Sequence, residues 1–116
     1  MKILVVEDNI DIKELLGYVL EDDGHQMVSC LDGSSLTDLD RIKPELILLD
    51  DKLANVWGSD LCIQLKNDNT TKNIPVILMS AMPDLPAIAR NCQADAYLEK
   101  PFNIETIIHL IKHFAR

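Results

Sequence analysis

A doubly wound α/β fold is predicted by three features of the 116-residue sequence. Five short apolar runs of strand length are separated by stretches whose apolar residues recur every three or four positions. Three of those runs are almost unbroken Ile, Leu and Val, the composition of strands covered on both faces of a sheet. The two kinds of segment alternate strictly, βα five times over, an order that implies right-handed crossovers and a parallel sheet.

The first run, Ile3 to Val6, is a buried strand. The helix after it carries an apolar stripe at Ile12, Leu15, Leu16, Val19 and Leu20, with Asn9 placed to cap its start and Gly24 to stop it. The second run, Gln26 to Cys30, is more polar and suits an edge; a helix is predicted over 34 to 42. Leu46 to Leu49 and Val76 to Met79 are the other two buried strands, followed by helices over 59 to 68 and 84 to 92. The last run, Ala96 to Leu98, is weaker and belongs near an edge. A final helix over 104 to 114 is capped by Asn103 and buries Ile104, Ile107, Ile108 and Ile111. The expected architecture is thus a flavodoxin-like (βα)5 fold, with a five-stranded parallel sheet of order 2-1-3-4-5 and helices on both faces, in a single domain over 1 to 116.

Composition narrows the function. The chain has 11 basic and 19 acidic residues, a formal net charge of −8, which disfavours direct contact with nucleic acid or anionic lipid. No run approaches the roughly 20 apolar residues that span a bilayer, and no signal-peptide layout opens the chain, so a cytoplasmic protein is expected. Cys30, Cys62 and Cys92 lack CxxC spacing and sit among apolar or helical residues, so they are expected to be buried free thiols. His109 and His113 lie four apart on the last helix; two ligands without a third do not make a metal site, and both suit a helix C-terminus.

In an open parallel sheet the chemistry lies beyond the carboxyl ends of the central strands. Glu7 and Asp8 follow the first strand, Asp50 and Asp51 the third, Ser80 ends the fourth and Lys100 follows the fifth. Two carboxylates about 4 Å apart repel by roughly 4 kcal/mol at an effective dielectric of about 20, so such a cluster favours a bound cation or a proton. A small set of hard oxygen ligands suits Mg²⁺, which keeps several waters and shares phosphoryl oxygens. Taken singly, each acid reads as a helix cap or a solvated loop residue, Ser80 as a strand-end hydroxyl, Lys100 as a surface lysine and Tyr97 as a core aromatic. Adjacent strand residues point to opposite faces, so only one of Asp50 and Asp51 can enter the site.

Glu7-Asp8, PELILLD at 44 to 50, VILMSA at 76 to 81 and AYLEKPF at 96 to 102 together resemble the receiver domain of bacterial response regulators over essentially the whole chain. The resemblance selects Asp50 as the phosphoacceptor, taking its phosphoryl group from the phosphohistidine of a sensor histidine kinase or a histidine phosphotransfer protein. It implies Mg²⁺ held by Glu7, Asp8, Asp50 and the Lys52 carbonyl. Lys100 would pair with a phosphoryl oxygen, Ser80 would sense occupancy, and Tyr97 would be the coupled rotamer switch. A cis Lys100-Pro101 peptide is also implied. The output surface would be the fourth helix, fifth strand and fifth helix, around Ala87, Ile88, Arg90, Tyr97 and Glu99, on a monomer that dimerises at most when phosphorylated.

The loop after Asp50 departs from the pattern. Leu53-Ala54-Asn55-Val56-Trp57-Gly58 lacks the usual Pro-Gly, which predicts a looser turn, with Trp57 either an anchor for a partner or a lid on the site rim. Lys52 replaces a commoner Met and brings a second positive head, predicting altered autodephosphorylation. Two other functions share parts of the pattern. Phosphohydrolases of the haloacid dehalogenase type need a second Asp where this chain has Lys52, and usually a cap domain for which there is no length. A receiver-like module that binds partners without phosphate would not need the full set of pocket residues found here. A phosphoacceptor switch rather than a turnover enzyme is therefore expected.

Overall fold

The computed structural model describes residues 1–115, with 34 and 35 described by their backbone; Arg116, the last residue of the predicted domain, lies outside the described residues. The elements run β1 (Lys2–Val6), α1 (Ile10–Asp22), β2 (Gln26–Cys30), a 3₁₀ segment (Gly33–Asp38), α2 (Leu39–Ile42), β3 (Leu46–Asp50), α3 (Gly58–Lys66), β4 (Val76–Ser80), α4 (Leu85–Asn91), β5 (Ala96–Glu99) and α5 (Ile104–Phe114). All strand pairs are parallel, in the order β2-β1-β3-β4-β5. The fold is the predicted one, and the two more polar runs are its edges.

Strand alternation splits the core into two layers. Ile3, Val5, Leu46, Leu48, Ile77, Met79 and Leu98 face α1 and α5, where Leu16, Val19, Leu20, Ile107 and Ile111 meet them. Leu4, Val6, Ile47, Leu49, Val76 and Leu78 face the other way, against Leu39, Cys62, Leu65, Leu85 and Ala89 from α2, α3 and α4. Asn9 and Asn103 cap α1 and α5 as predicted, their Oδ1 atoms accepting the Ile12 and Thr106 amides at 3.1 and 2.8 Å.

Three sequence expectations about the elements and their burial need correction. The helix predicted over 34 to 42 is mostly 3₁₀, with one α turn, because Gly33, Thr37 and Asp38 are poor helix formers. Leu15 and Ile104 are 40% and 48% exposed: a helix lying on a sheet buries a narrower arc than their stripes would fill. Cys30 is only half-buried, since it ends an edge strand, whereas Cys62 and Cys92 are buried. Burial, reinforced by neighbouring Cys92, pushes the Cys62 thiol up to about 12. Among the described residues, turns use positive φ at Gly24 (86°), Lys43 (52°) and Gln93 (65°). Among the described residues no helix is long and apolar enough to cross a membrane.

Candidate functional site

The sheet reverses its winding direction between β1 and β3, and the acidic residues converge at the carboxyl ends of those two strands. Alternation explains which side chains meet. Glu7 continues the Ile3, Val5 series, Asp50 the Leu46, Leu48 series, and Lys100 the Ala96, Leu98 series, so all three point toward the α1/α5 layer. Asp51 belongs to the opposite series.

Glu7 and Asp50 are buried, and Asp8 stands exposed at the mouth. One carboxylate oxygen from each of Glu7, Asp8 and Asp50 lies within 4.8 Å of the others. Lys100 reaches in from the loop after β5, its Nζ donating to Asp50 Oδ1 at 2.7 Å and to Glu7 Oε2 at 2.9 Å. Glu7 is further fixed by the Asn9 amide, which donates to Oε1 at 3.1 Å. The Lys100–Pro101 peptide is cis.

Burial drives the Asp50 carboxyl up to about 6; Lys100 opposes that rise, while Glu7 and Asp8 reinforce it. Burial works to lower the Lys100 ammonium, but its bonds to Asp50 and Glu7 prevail and hold it above its usual value. The three acids offer only hard oxygen donors, at a spacing that one small divalent ion would relieve, so the group fits Mg²⁺. Among the described residues it is the only cluster of its kind; His109 and His113 are exposed and outside it.

Ser80, Tyr97 and Lys52 are the remaining predicted site residues. Ser80 is buried at the end of β4, and its Oγ accepts the Met82 amide at 3.0 Å. Tyr97 is 42% exposed on β5, beside a cleft of about 490 Å³ lined by Asn103, Glu105, Thr106 and His109. Lys52 is exposed.

The turn after β3 is not loose. Lys52 and Trp57 form an antiparallel bridge, and the Leu53 amide donates to the Val56 carbonyl at 3.3 Å, so a small hairpin replaces the missing Pro-Gly. Trp57, half-exposed, closes that hairpin at the N-cap of α3. Sequence reasoning missed Gly58, whose hypothetical Cβ would overlap the Asp50 carbonyl oxygen. A glycine at the start of a helix behind an acceptor strand was the available signal for such a close approach.

Comparison with known proteins agrees with this geometry. The family model of the response regulator receiver domain matches residues 3–112. The chain is 36% identical over 118 residues to the phosphate regulon transcriptional regulatory protein PhoB of Escherichia coli, covering 99% of this chain and 52% of PhoB. It is also 36% identical over 120 residues to the transcriptional regulatory protein YxdJ of Bacillus subtilis, covering 99% of this chain and 50% of that protein. The chain thus spans about half the length of these curated relatives. Among solved structures, the signal receiver domain of a signal transduction histidine kinase from Syntrophus aciditrophicus superposes with a TM-score of 0.90 at 29% identity, over 97% of this chain and 88% of that one. Sequence, topology and the acidic site at the β1/β3 crevice agree: the chain belongs to the response-regulator receiver domain family.

Proposed function

We propose that residues 1–116 act as one phosphoacceptor switch in a two-component phosphorelay, with Asp50 as the acceptor. The observation that carries this reading is the meeting of three carboxylates and one ammonium at the crevice between β1 and β3. An Asp50 oxygen attacks the phosphorus of a phosphohistidine on a sensor kinase or phosphotransfer protein. The P–N bond breaks, the imidazole nitrogen leaves with the bonding pair and takes a proton, and Asp50 becomes an acyl phosphate.

Glu7, Asp8, Asp50 and the Lys52 carbonyl would hold Mg²⁺, which supplies charge neutralisation for the carboxylates and the incoming phosphoryl oxygens. Lys100 exchanges its bond to Asp50 for one to a phosphoryl oxygen. Ser80 turns from the Met82 amide toward the phosphoryl group, and Tyr97 follows it inward. The face formed by α4, β5 and α5, where Arg90, Tyr97 and Glu99 are exposed, then meets the output partner. On this reading the protein works in the cytoplasm, as a monomer that dimerises at most when phosphorylated, without binding nucleic acid or membrane itself.

The test is incubation with Mg²⁺ and acetyl phosphate followed by intact mass. One added phosphoryl group on the wild type and none on Asp50→Asn is the expected result. An unmodified wild type would favour a phosphate-independent binding module, and sustained hydrolysis of a small phosphate ester would favour a phosphohydrolase.

A further inference from the structure

Asp51 is the second carboxylate of the acceptor strand end, and the chemistry at Asp50 does not use it. Its side chain points into the α2–α4 layer and is 2% exposed, where an ordinary strand would place an apolar residue. There Oδ1 accepts the Ser59 amide at 2.9 Å, one of the orphan donors of the first turn of α3. The Asp51 carbonyl also accepts the Gly58 amide at 2.6 Å. Gly58, having no Cβ, lets the start of α3 close directly onto the Asp50–Asp51 peptide. Six residues, 52 to 57, are therefore strung between two anchored points and are crossed by the Lys52–Trp57 bridge.

We propose that Asp51 is a positioning residue: by holding the Ser59 amide it fixes the β3–α3 hairpin, and with it the Lys52 carbonyl, in register with the Asp50 carboxylate. This rests on the phosphoacceptor reading above, in which that carbonyl is a Mg²⁺ ligand. Trp57 cannot cap α3 with its own side chain, and no side chain other than that of Asp51 takes an amide of this first turn among the described residues. Removing it leaves the hairpin tethered by main-chain bonds alone. The ligand carbonyl then samples orientations that the metal must select from, and its apparent affinity falls by the fraction that is competent.

The experiment follows Trp57 fluorescence, this being the chain's single tryptophan, during titration with MgCl₂ alone. Acetyl phosphate phosphorylation is measured in parallel at saturating Mg²⁺. Asp51→Asn keeps an Oδ1 acceptor; Asp51→Leu fills the same space without one, and Asp51→Ala is the second deletion should the leucine variant fail to fold. A roughly tenfold weaker Mg²⁺ Kd is expected for the deletion variants, with a near-normal phosphorylation rate restored at saturating Mg²⁺. Asp51→Asn is expected within about twofold of wild type. A wild-type Mg²⁺ Kd in a folded deletion variant, or an asparagine variant as weak as the deletions, would overturn the proposal while leaving the phosphoacceptor reading intact. A wild type that neither binds Mg²⁺ nor takes up phosphoryl would overturn both.

Discussion

The Lys100 ammonium lies 2.7 Å from Asp50 Oδ1, bridging residues 50 positions apart in the chain, and it holds Glu7 with the same head group. Two buried acids thus share one cation. Lys100→Met is expected to destabilise the metal-free protein by about 3 kcal/mol, the lower end of the cost of breaking a buried ion pair, because the site keeps some solvent contact. Adding Mg²⁺ should restore part of that loss. Urea denaturation with and without Mg²⁺ checks this, and equal stability of the two proteins without metal would refute it.

Without metal, stability should fall as pH rises. Folded Asp50 binds its proton up to about pH 6, well above the ordinary value of 3.8, so the folded state holds more protons than the unfolded chain between those limits. The stabilisation is complete below about pH 4 and is lost as pH passes 6, amounting to about 2 to 3 kcal/mol. Lys100, raised above its usual 10.5, stays charged throughout this window and does not alter the sign. Thermal melts from pH 4 to 8 in EDTA should show this slope for the wild type and a flatter profile for Asp50→Asn.

Gly58→Ala should be among the most damaging single-methyl changes in the molecule. The new Cβ meets backbone, the Asp50 carbonyl, rather than a side chain that can move aside. A loss of about 3 kcal/mol is expected, at the upper end for overpacking, together with at least tenfold slower phosphoryl uptake in the folded fraction. A neutral urea midpoint would contradict this packing.

Lys43 closes α2 in the left-handed region, where its Cβ is strained. Lys43→Gly should therefore stabilise by about 0.5 kcal/mol, relief of that strain exceeding the added freedom of the unfolded chain. The measurement is the urea midpoint, and a decrease would count against it.

Lys52 stands two residues beyond the acceptor with its backbone locked in the hairpin and its side chain exposed. Lys52→Met should change the lifetime of the phosphorylated protein by at least twofold without changing stability. An unchanged half-life, followed by intact mass, would remove the Lys52 side chain from the chemistry.

Much of this arrangement was legible in the residues. Unbroken runs such as Leu46 to Leu49 identify central strands because both faces are covered, and the same alternation carries Glu7, Asp50 and Lys100 to one side. What stayed hidden depends on tertiary contact. Nothing local distinguishes Leu15 from Leu16 until the sheet decides which is covered, and the hairpin at 52 to 57 has no turn signature, since it is held by a cross-bridge and by α3. Asp51 resembled a rival nucleophile because its partner, the Ser59 amide, belongs to an element whose approach is set by Gly58.

Consecutive acids at the end of β3 serve different masters. Asp50 is tied through Lys100 to the far edge of the sheet, and Asp51 is tied to the helix behind it. Neighbouring residues of one strand end thus carry a carboxylate into each helical layer, so the acceptor and the start of α3 are held from the same peptide unit rather than from separate elements.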